Sequence, residues 1–308
     1  MNDYVVLALG VVCAGIGGEL FVRGAVGLGH WARVSPGIIA ATVVAFATSS
    51  PELAVSVSAA MAGRPQISLG DVLGSNVVNV ALILALALSI SGIQSPRDSV
   101  KRDFPVALLV PVITGVLILD GVLSRTDGLL MLGMFLAWLV AAVVEARKQR
   151  SAAEEVIGER RGWLAIILFI IGFAFLVAAG RLIVGGAKGV AISFGIDEFV
   201  IGATIVAVGT SVPELATTVI AKLRGHDEVG LGTILGSNIF NGLFIIAVAA
   251  VIFPISVDWR KVAIPLVFGL LAVAFIFPTR RGFIGRWRGL SLLALYAVYL
   301  AIILQRQA

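Results

Sequence analysis

IAATVVAFATSSPELAVSVSAAMAGRPQISLGDVLGSNVVN (39–79) and IGATIVAVGTSVPELATTVIAKLRGHDEVGLGTILGSNIFN (201–241) are one pattern written twice, 162 residues apart. Of 41 aligned positions 21 are identical without a gap. They include Thr48/Thr210, Ser49/Ser211, Pro51/Pro213, Glu52/Glu214, Ser75/Ser237, Asn76/Asn238 and Asn79/Asn241. Two apolar segments share some Leu, Val and Ala through composition alone. They do not share a Thr, a Ser, a Pro, a Glu and two Asn in register, so the chain is organised by an internal repeat.

The surroundings of the repeat identify its solvent. Hydrophobic residues make up 59% of the chain and charged residues 13%, with a mean hydropathy of +1.06. A soluble domain carries about 25% charged residues. So apolar a chain cannot cover itself in water, and the sequence predicts an all-α integral membrane protein. Asn2 and Asp3 stand where a cleaved leader would have its basic region, so the first apolar run is expected to be a span. The net charge of +5 is spread over short loops, which is a topology signal rather than a nucleic-acid surface. The single Cys13 and the separated His30 and His226 offer no disulfide and no zinc or copper site.

Apolar runs long enough to cross a bilayer fall at 4–29, 36–61, 68–92, 104–119, 126–146, 163–191, 198–222, 229–252, 261–278 and 288–304. A charged stretch, 147–161, divides these ten expected transmembrane helices into a five-helix repeat at 1–146 and a second at 162–308. Because five is odd, the second repeat enters the membrane from the opposite face, and the repeats are inverted. Most Lys and Arg, such as Arg33, Arg97, Arg147, Lys222 and Arg280, fall on one side. The positive-inside rule makes 147–161 a cytoplasmic linker in a multi-pass protein of the cell membrane, with both termini outside the cytoplasm. Inverted repeats belong to secondary transporters, whose site lies near the midplane where the repeats meet.

The repeated motifs supply hard oxygen ligands. ATSSPEL (47–53) and GTSVPEL (209–215) each place a glutamate inside a span, where a carboxylate costs about 2.5 kcal/mol or more. The plainer reading, two protonated glutamates gluing helices together, does not account for the neighbours. Pro51 and Pro213 lack an N–H and free the carbonyls of Ala47 and Gly209 from their helical donors, while Thr and Ser hydroxyls precede each proline. Carboxylate, hydroxyl and carbonyl oxygens suit Ca²⁺. In GSNVVN (74–79) and GSNIFN (236–241), Ser75 and Asn79, like Ser237 and Asn241, are four apart and share a helix face. Asn76 and Asn238 fit interhelical glue as well as function. Glu19, four residues before Arg23, is expected to form a local ion pair with a structural or gating role. Asp71, Asp197, Glu198, Asp227 and Glu228 fall near span ends, where solvated charge is ordinary. The glycines of 15–29 and 180–189 fit either sliding or close packing of the first and sixth spans.

Paired PEL and GSN motifs at inverted positions resemble the alpha-repeats of the calcium/cation antiporter superfamily, and most of all prokaryotic sodium/calcium exchangers. The resemblance covers essentially the whole chain. It implies a calcium site made by the side chains of Glu52 and Glu214 with the backbone carbonyls of Thr48 and Thr210. It implies flanking sodium sites drawing on Ala45, Ser49, Ala207 and Ser211, with Ser75 and Ser237 beside them and Asn79 and Asn241 in the middle. Two departures matter: Ala47 replaces a glycine, and Asn241 stands where some members have aspartate. The expected function is alternating-access exchange of Ca²⁺ for Na⁺ by a protein that acts as a monomer, is no enzyme and carries no resident cofactor. A proton-coupled exchanger and a cation channel are the rivals, since the same oxygens could serve either. No nucleophile–base pair or phosphate loop speaks for an enzyme.

Overall fold

The computed structural model describes residues 3–61, 63, 65–152, 162–193 and 207–305. In the first half, α1 (Asp3–Ala32) is followed by α2 (Pro36–Ile39), α3 (Ala45–Thr48), α4 (Ser50–Met61), α5 (Pro65–Val77), α6 (Ala85–Ile90), α7 (Arg97–Leu117) and α8 (Arg125–Ala152). The second half runs α9 (Gly162–Ser193), α10 (Ala207–Thr210), α11 (Val212–Leu223), α12 (Asp227–Ile239), α13 (Ile246–Ile252), α14 (Trp259–Phe275) and α15 (Arg286–Gln305). Among the described residues three π-helical segments, Ala40–Val44, Val78–Leu84 and Phe240–Ile245, join α2 to α3, α5 to α6 and α12 to α13.

Six of these helical runs are long and apolar enough to cross a membrane, and a seventh if α2–α4, bent by 43° at Ser49, counts as one span. α7 opens with Arg97, Asp98, Lys101, Arg102 and Asp103, and α14 is shorter, so neither reaches that mark. The charged opening of α7 also explains why the helix starts ahead of the expected 104–119. A helix can continue past the apolar region where its backbone is satisfied internally. The residues 198–206 of the expected seventh span, with Asp197 and Glu198, and residues 153–161 of the expected linker lie outside the described residues.

Burial sorts the helices into an inner and an outer set. The windows at Ser68–Ile90 and Asp227–Ile252 are 78% and 83% buried, whereas Arg125–Lys148 and Arg286–Ile303 are each 22% buried. α8 and α15 accordingly turn Leu129, Leu136, Val140, Leu290 and Val298 outward, as helices facing hydrocarbon do. One apolar core surrounds α5–α6 and α12–α13. A second, built from Phe21, Val22, Ala25, Val44, Leu176 and Ala221, sits where α1 and α9 meet α11 and the α2–α3 segment. Small residues set the α1–α9 distance, since a Cβ at Gly24 would collide with the Phe169 backbone and one at Gly172 with that of Phe21. The first of the two glycine runs is thus packed closely; in the second, the surroundings of side chains 183–193 fall outside the described set.

Four two-residue strands stitch the halves together. β1 (Ile93–Gln94) pairs antiparallel with β4 (Phe283–Ile284), and β2 (Val122–Leu123) with β3 (Ile255–Ser256). β3 follows β1 by the same offset that separates the repeated motifs, so the two sheets are counterparts of one another, each joining a loop of one half to a loop of the other.

Candidate cation-binding site

Each PEL motif is a helix end meeting a helix start. Proline is tolerated in a first turn, where its missing N–H has no intrahelical partner to lose. Pro51 and Pro213 therefore open α4 and α11, and the chain breaks just before them at Ser49 (φ −84°, ψ 7°) and Ser211 (φ −84°, ψ 10°). Glu52 and Glu214 fall in the first turn of the new helix, where the positive end of the helix dipole favours a carboxylate. The Ala47 carbonyl, expected to be free, instead accepts a backbone N–H at the helix end.

The halves meet through crossed hydrogen bonds. Ser49 Oγ donates to Glu214 Oε1 at 3.2 Å, and Ser211 Oγ to Glu52 Oε1 at 3.5 Å. Ser237 Oγ adds a second donor to Glu214 Oε1 at 3.2 Å, and its oxygen lies 3.5 Å from Thr48 Oγ1. Thr210 stands in hydrogen-bonding reach of Glu52, as Thr48 does of Glu214. Both glutamates are essentially sealed from solvent, at 1% and 0% exposure. Each carboxylate is thus held by hydroxyls from the opposite repeat as well as by its own helix.

One oxygen of each carboxylate remains without a protein partner among the described residues. Glu52 Oε2 and Glu214 Oε2 share that condition with Ser75 Oγ, Asn79 Oδ1 and Asn241 Oδ1. An unpartnered buried polar group costs about 1–3 kcal/mol. Five such oxygens in one repeated constellation form a donor set for a hard cation, which carboxylate, hydroxyl and amide oxygens suit. Among the described residues no cluster of three or more His, Cys, Asp or Glu could hold a metal ion, so any cation here would lean on two carboxylates and neutral oxygens.

The other expected residues divide. Ala45 is buried, but its carbonyl already accepts from Ser49 N at 3.0 Å and Thr48 Oγ1 at 3.3 Å. Ala207 begins α10 and is described by its backbone alone. The GSN triads lie within α5 and α12 and not at their starts, and the π segments take in the last two residues of each motif, Val78 and Asn79 in one and Phe240 and Asn241 in the other. Those π segments leave no recognisable mark in the sequence.

Asn76 and Asn238 form the most symmetric contact between the halves. Asn76 Nδ2 donates to the Asn238 carbonyl at 3.2 Å, and Asn238 Nδ2 to the Asn76 carbonyl at 3.1 Å. Asn238 Oδ1 also accepts from Asn79 Nδ2 at 3.1 Å, whereas both side-chain atoms of Asn241 lack a partner among the described residues. Of the two readings open for Asn76 and Asn238, the geometry favours glue. Glu19 pairs with Arg23 at 2.5 Å as expected, and also with Arg224 at 2.8 Å at the end of α11. The sequence spacing could not show that long-range partner. Asp227 is likewise no simple solvated charge, because Lys222 Nζ lies 2.8 Å from it and also donates to the Gly92 carbonyl at 2.6 Å.

Residues 3–144 and 164–305 match the family model described as sodium/calcium exchanger protein. The inner membrane protein YrbG of Escherichia coli (strain K12) is 34% identical over 288 residues, spanning 88% of this chain and 87% of that protein. The sodium/calcium exchanger MaX1 of Methanosarcina acetivorans is 29% identical over 98% of both chains. A solved structure of the sodium-calcium exchanger NCX_Mj, soaked with Na⁺ and Sr²⁺, superposes with a TM-score of 0.84 at 32% identity, covering 97% of this chain and 98% of that one.

Proposed function

This chain belongs to the sodium/calcium exchanger protein family, a family of membrane transporters, and from that premise we propose that it exchanges Ca²⁺ for Na⁺ at one site centred on Glu52 and Glu214. The observation that carries the reading is the pair of buried carboxylates, each held by a serine of the opposite half and each with an oxygen left over. The site residues are Glu52, Glu214, Thr48, Thr210, Ser49, Ser211, Ser75, Ser237, Asn79 and Asn241, with Ala45 and Ala207 at its flanks. An empty site leaves two carboxylates unpaired in a low-dielectric interior, so the empty carrier crosses reluctantly. One Ca²⁺ or two Na⁺ neutralise the pair and permit the switch, which makes exchange obligatory. The Thr and Ser hydroxyls favour Na⁺ over H⁺ as the counter-ion, since a proton on a carboxylate needs no such cage.

The proposed architecture is ten spans in two inverted repeats, 1–146 and 162–308, joined by a cytoplasmic linker at 147–161, with both termini outside the cytoplasm. The constant offset of the motifs, the matched pair of strand ladders and the family match over two segments support it. Because one chain supplies every oxygen of the site, a monomer suffices.

The test is Ca²⁺ uptake into proteoliposomes loaded with Na⁺, compared with Na⁺-free and pH-gradient controls, for the wild type and Glu214→Gln. Uptake driven by Na⁺ and reduced at least about 100-fold by the substitution is expected, the loss of one partner of a buried charged site costing about 3–5 kcal/mol. Uptake driven by the pH gradient alone would transfer the protein to proton coupling, and uptake under neither would remove the calcium assignment.

A further inference from the structure

A cavity of about 330 Å³ lies between α1 and the turn that joins α11 to α12, and none of its lining residues belongs to the paired-glutamate centre. Pockets for small molecules begin at about 300 Å³. One wall is Glu19, Val22, Arg23, Val26, Gly27 and His30, whose spacing of three and four puts all six on a single face of α1. Arg224 and His226 close the other side. They flank Gly225, whose φ of +77° turns the chain from one helix into the next. From Glu19 to His30 the α1 wall runs about 16 Å at the rise of an α-helix.

The lining is cationic. It holds two arginines and both histidines of the chain against one carboxylate. Arg224 grips Glu19 as a fork, with Nη2 2.8 Å from Oε1 and Nε donating to Oε2 at 2.9 Å, while Arg23 Nε stands 2.5 Å from Oε1. A single carboxylate thus draws two guanidinium groups onto one wall and neutralises the charge of only one. A guanidinium carries five N–H donors, so each arginine has more to offer. The Arg23 and Arg224 side chains are 60% and 53% exposed, which leaves those donors within reach of a ligand. Among the described residues His226 Nδ1 has a looser neighbour in Glu228, at 3.5 Å.

The internal repeat does not duplicate this arrangement. The counterparts of Glu19, Arg23 and Arg224 are Arg181, Gly185 and Ala62. The cavity therefore belongs to one membrane face, the cytoplasmic one in the proposed orientation. Trp31, beside His30, and Trp163, at the start of α9, are both largely exposed, as aromatic residues at a membrane–water interface are. Gly162 packs on the Trp31 ring, so the two tryptophans mark the same level. The His30 end of the cavity lies at that level.

We propose that this cavity binds a phosphate-bearing anion, with the Arg23 and Arg224 guanidinium groups and the His30 and His226 imidazoles around the phosphate and Val22 and Val26 against its apolar remainder. Guanidinium forks match phosphate oxygens two at a time. Two sources present this chemistry at an interface: the headgroup of an anionic phospholipid in the adjacent leaflet, and free phosphate in the water phase. Glu19 competes with either for the same two arginines. An occupant bridges α1 and the end of α11, the helix whose first turn holds Glu214.

Binding there does not depend on which cations are exchanged, so the test measures no transport. Thermal unfolding of the purified full chain in an uncharged detergent is followed at constant ionic strength. The separate titrants are a short-chain phosphatidylglycerol, a zwitterionic phosphatidylcholine of the same chain length, and inorganic phosphate. Phosphatidylglycerol should raise the unfolding midpoint of the wild type, and phosphatidylcholine should not. Arg224→Gln should raise the half-saturating concentration at least about 10-fold, the size of a lost hydrogen bond to a charged group. Glu19→Gln should lower it about 3-fold, the size of one half-exposed competing charge. These opposite signs separate an anion site from damaged packing, which weakens binding in both variants. Stabilisation by phosphatidylglycerol alone assigns the lipid headgroup, and stabilisation by inorganic phosphate with the same variant pattern assigns the free anion. No stabilisation of the wild type by either, equal titrations of wild type and Arg224→Gln, or weakening in both variants overturns the proposal. Should Arg224→Gln fail to fold, Arg23→Gln, which leaves the Arg224–Glu19 fork in place, is read the same way.

Discussion

Asn238 and Asn241 are three residues apart on the same run and have opposite circumstances. Asn238 is engaged through both side-chain atoms, donating to the Asn76 carbonyl and accepting from Asn79, whereas neither side-chain atom of Asn241 has a partner among the described residues. Truncation should separate the two roles. Asn238→Ala should lower stability by about 1–2 kcal/mol, the range for hydrogen bonds between membrane helices. Asn241→Ala should leave the melting temperature in detergent close to wild type and weaken Ca²⁺-dependent transport instead. The check is to measure both quantities on both variants. Equal destabilisation would show that Asn241 is also structural.

At the scale of the element, the break before each proline and the π segment after each GSN motif shape the centre. Only the first of these is legible in residues, and in part: Pro51 and Pro213 signal an interrupted hydrogen-bond ladder within a span, which the structure resolves as the start of a new helix. The widened turns at Val78–Leu84 and Phe240–Ile245 are settled by packing between helices and leave no residue signature. The GSN glycines illustrate the same limit. They are identical in sequence, yet a Cβ at Gly236 would collide with the Ala41 carbonyl, while one at Gly74 would meet nothing nearer than the Tyr299 hydroxyl at 3.9 Å. Gly236→Ala should therefore force α12 away from the Ala40–Val44 segment and reduce transport at least about 10-fold, whereas Gly74→Ala should be tolerated within about 2-fold, since overpacking of a close backbone contact costs about 1–3 kcal/mol. Transport assays on the two variants check the asymmetry, and matching losses would contradict it.

For the whole molecule, composition alone points to the solvent, and the repeated Glu, Ser and Asn in register single out the residues of the proposed exchange site. What the sequence withholds is everything that depends on the halves facing each other: the crossing of Ser49 to Glu214 and the salt link from Glu19 to Arg224. Each joins residues far apart in the chain, and no local pattern encodes such a meeting.

The contact between Asn76 and Asn238 has one more consequence. A contact in which each partner gives the other what it receives is the signature of a two-fold homodimer interface. This chain makes that contact with itself, between positions 162 residues apart. It resembles a pair of subunits threaded on one polypeptide through 147–161. Severed there and produced as two separate polypeptides in the same cell, the halves should find each other and copurify, with Asn238→Ala lowering the yield of the pair.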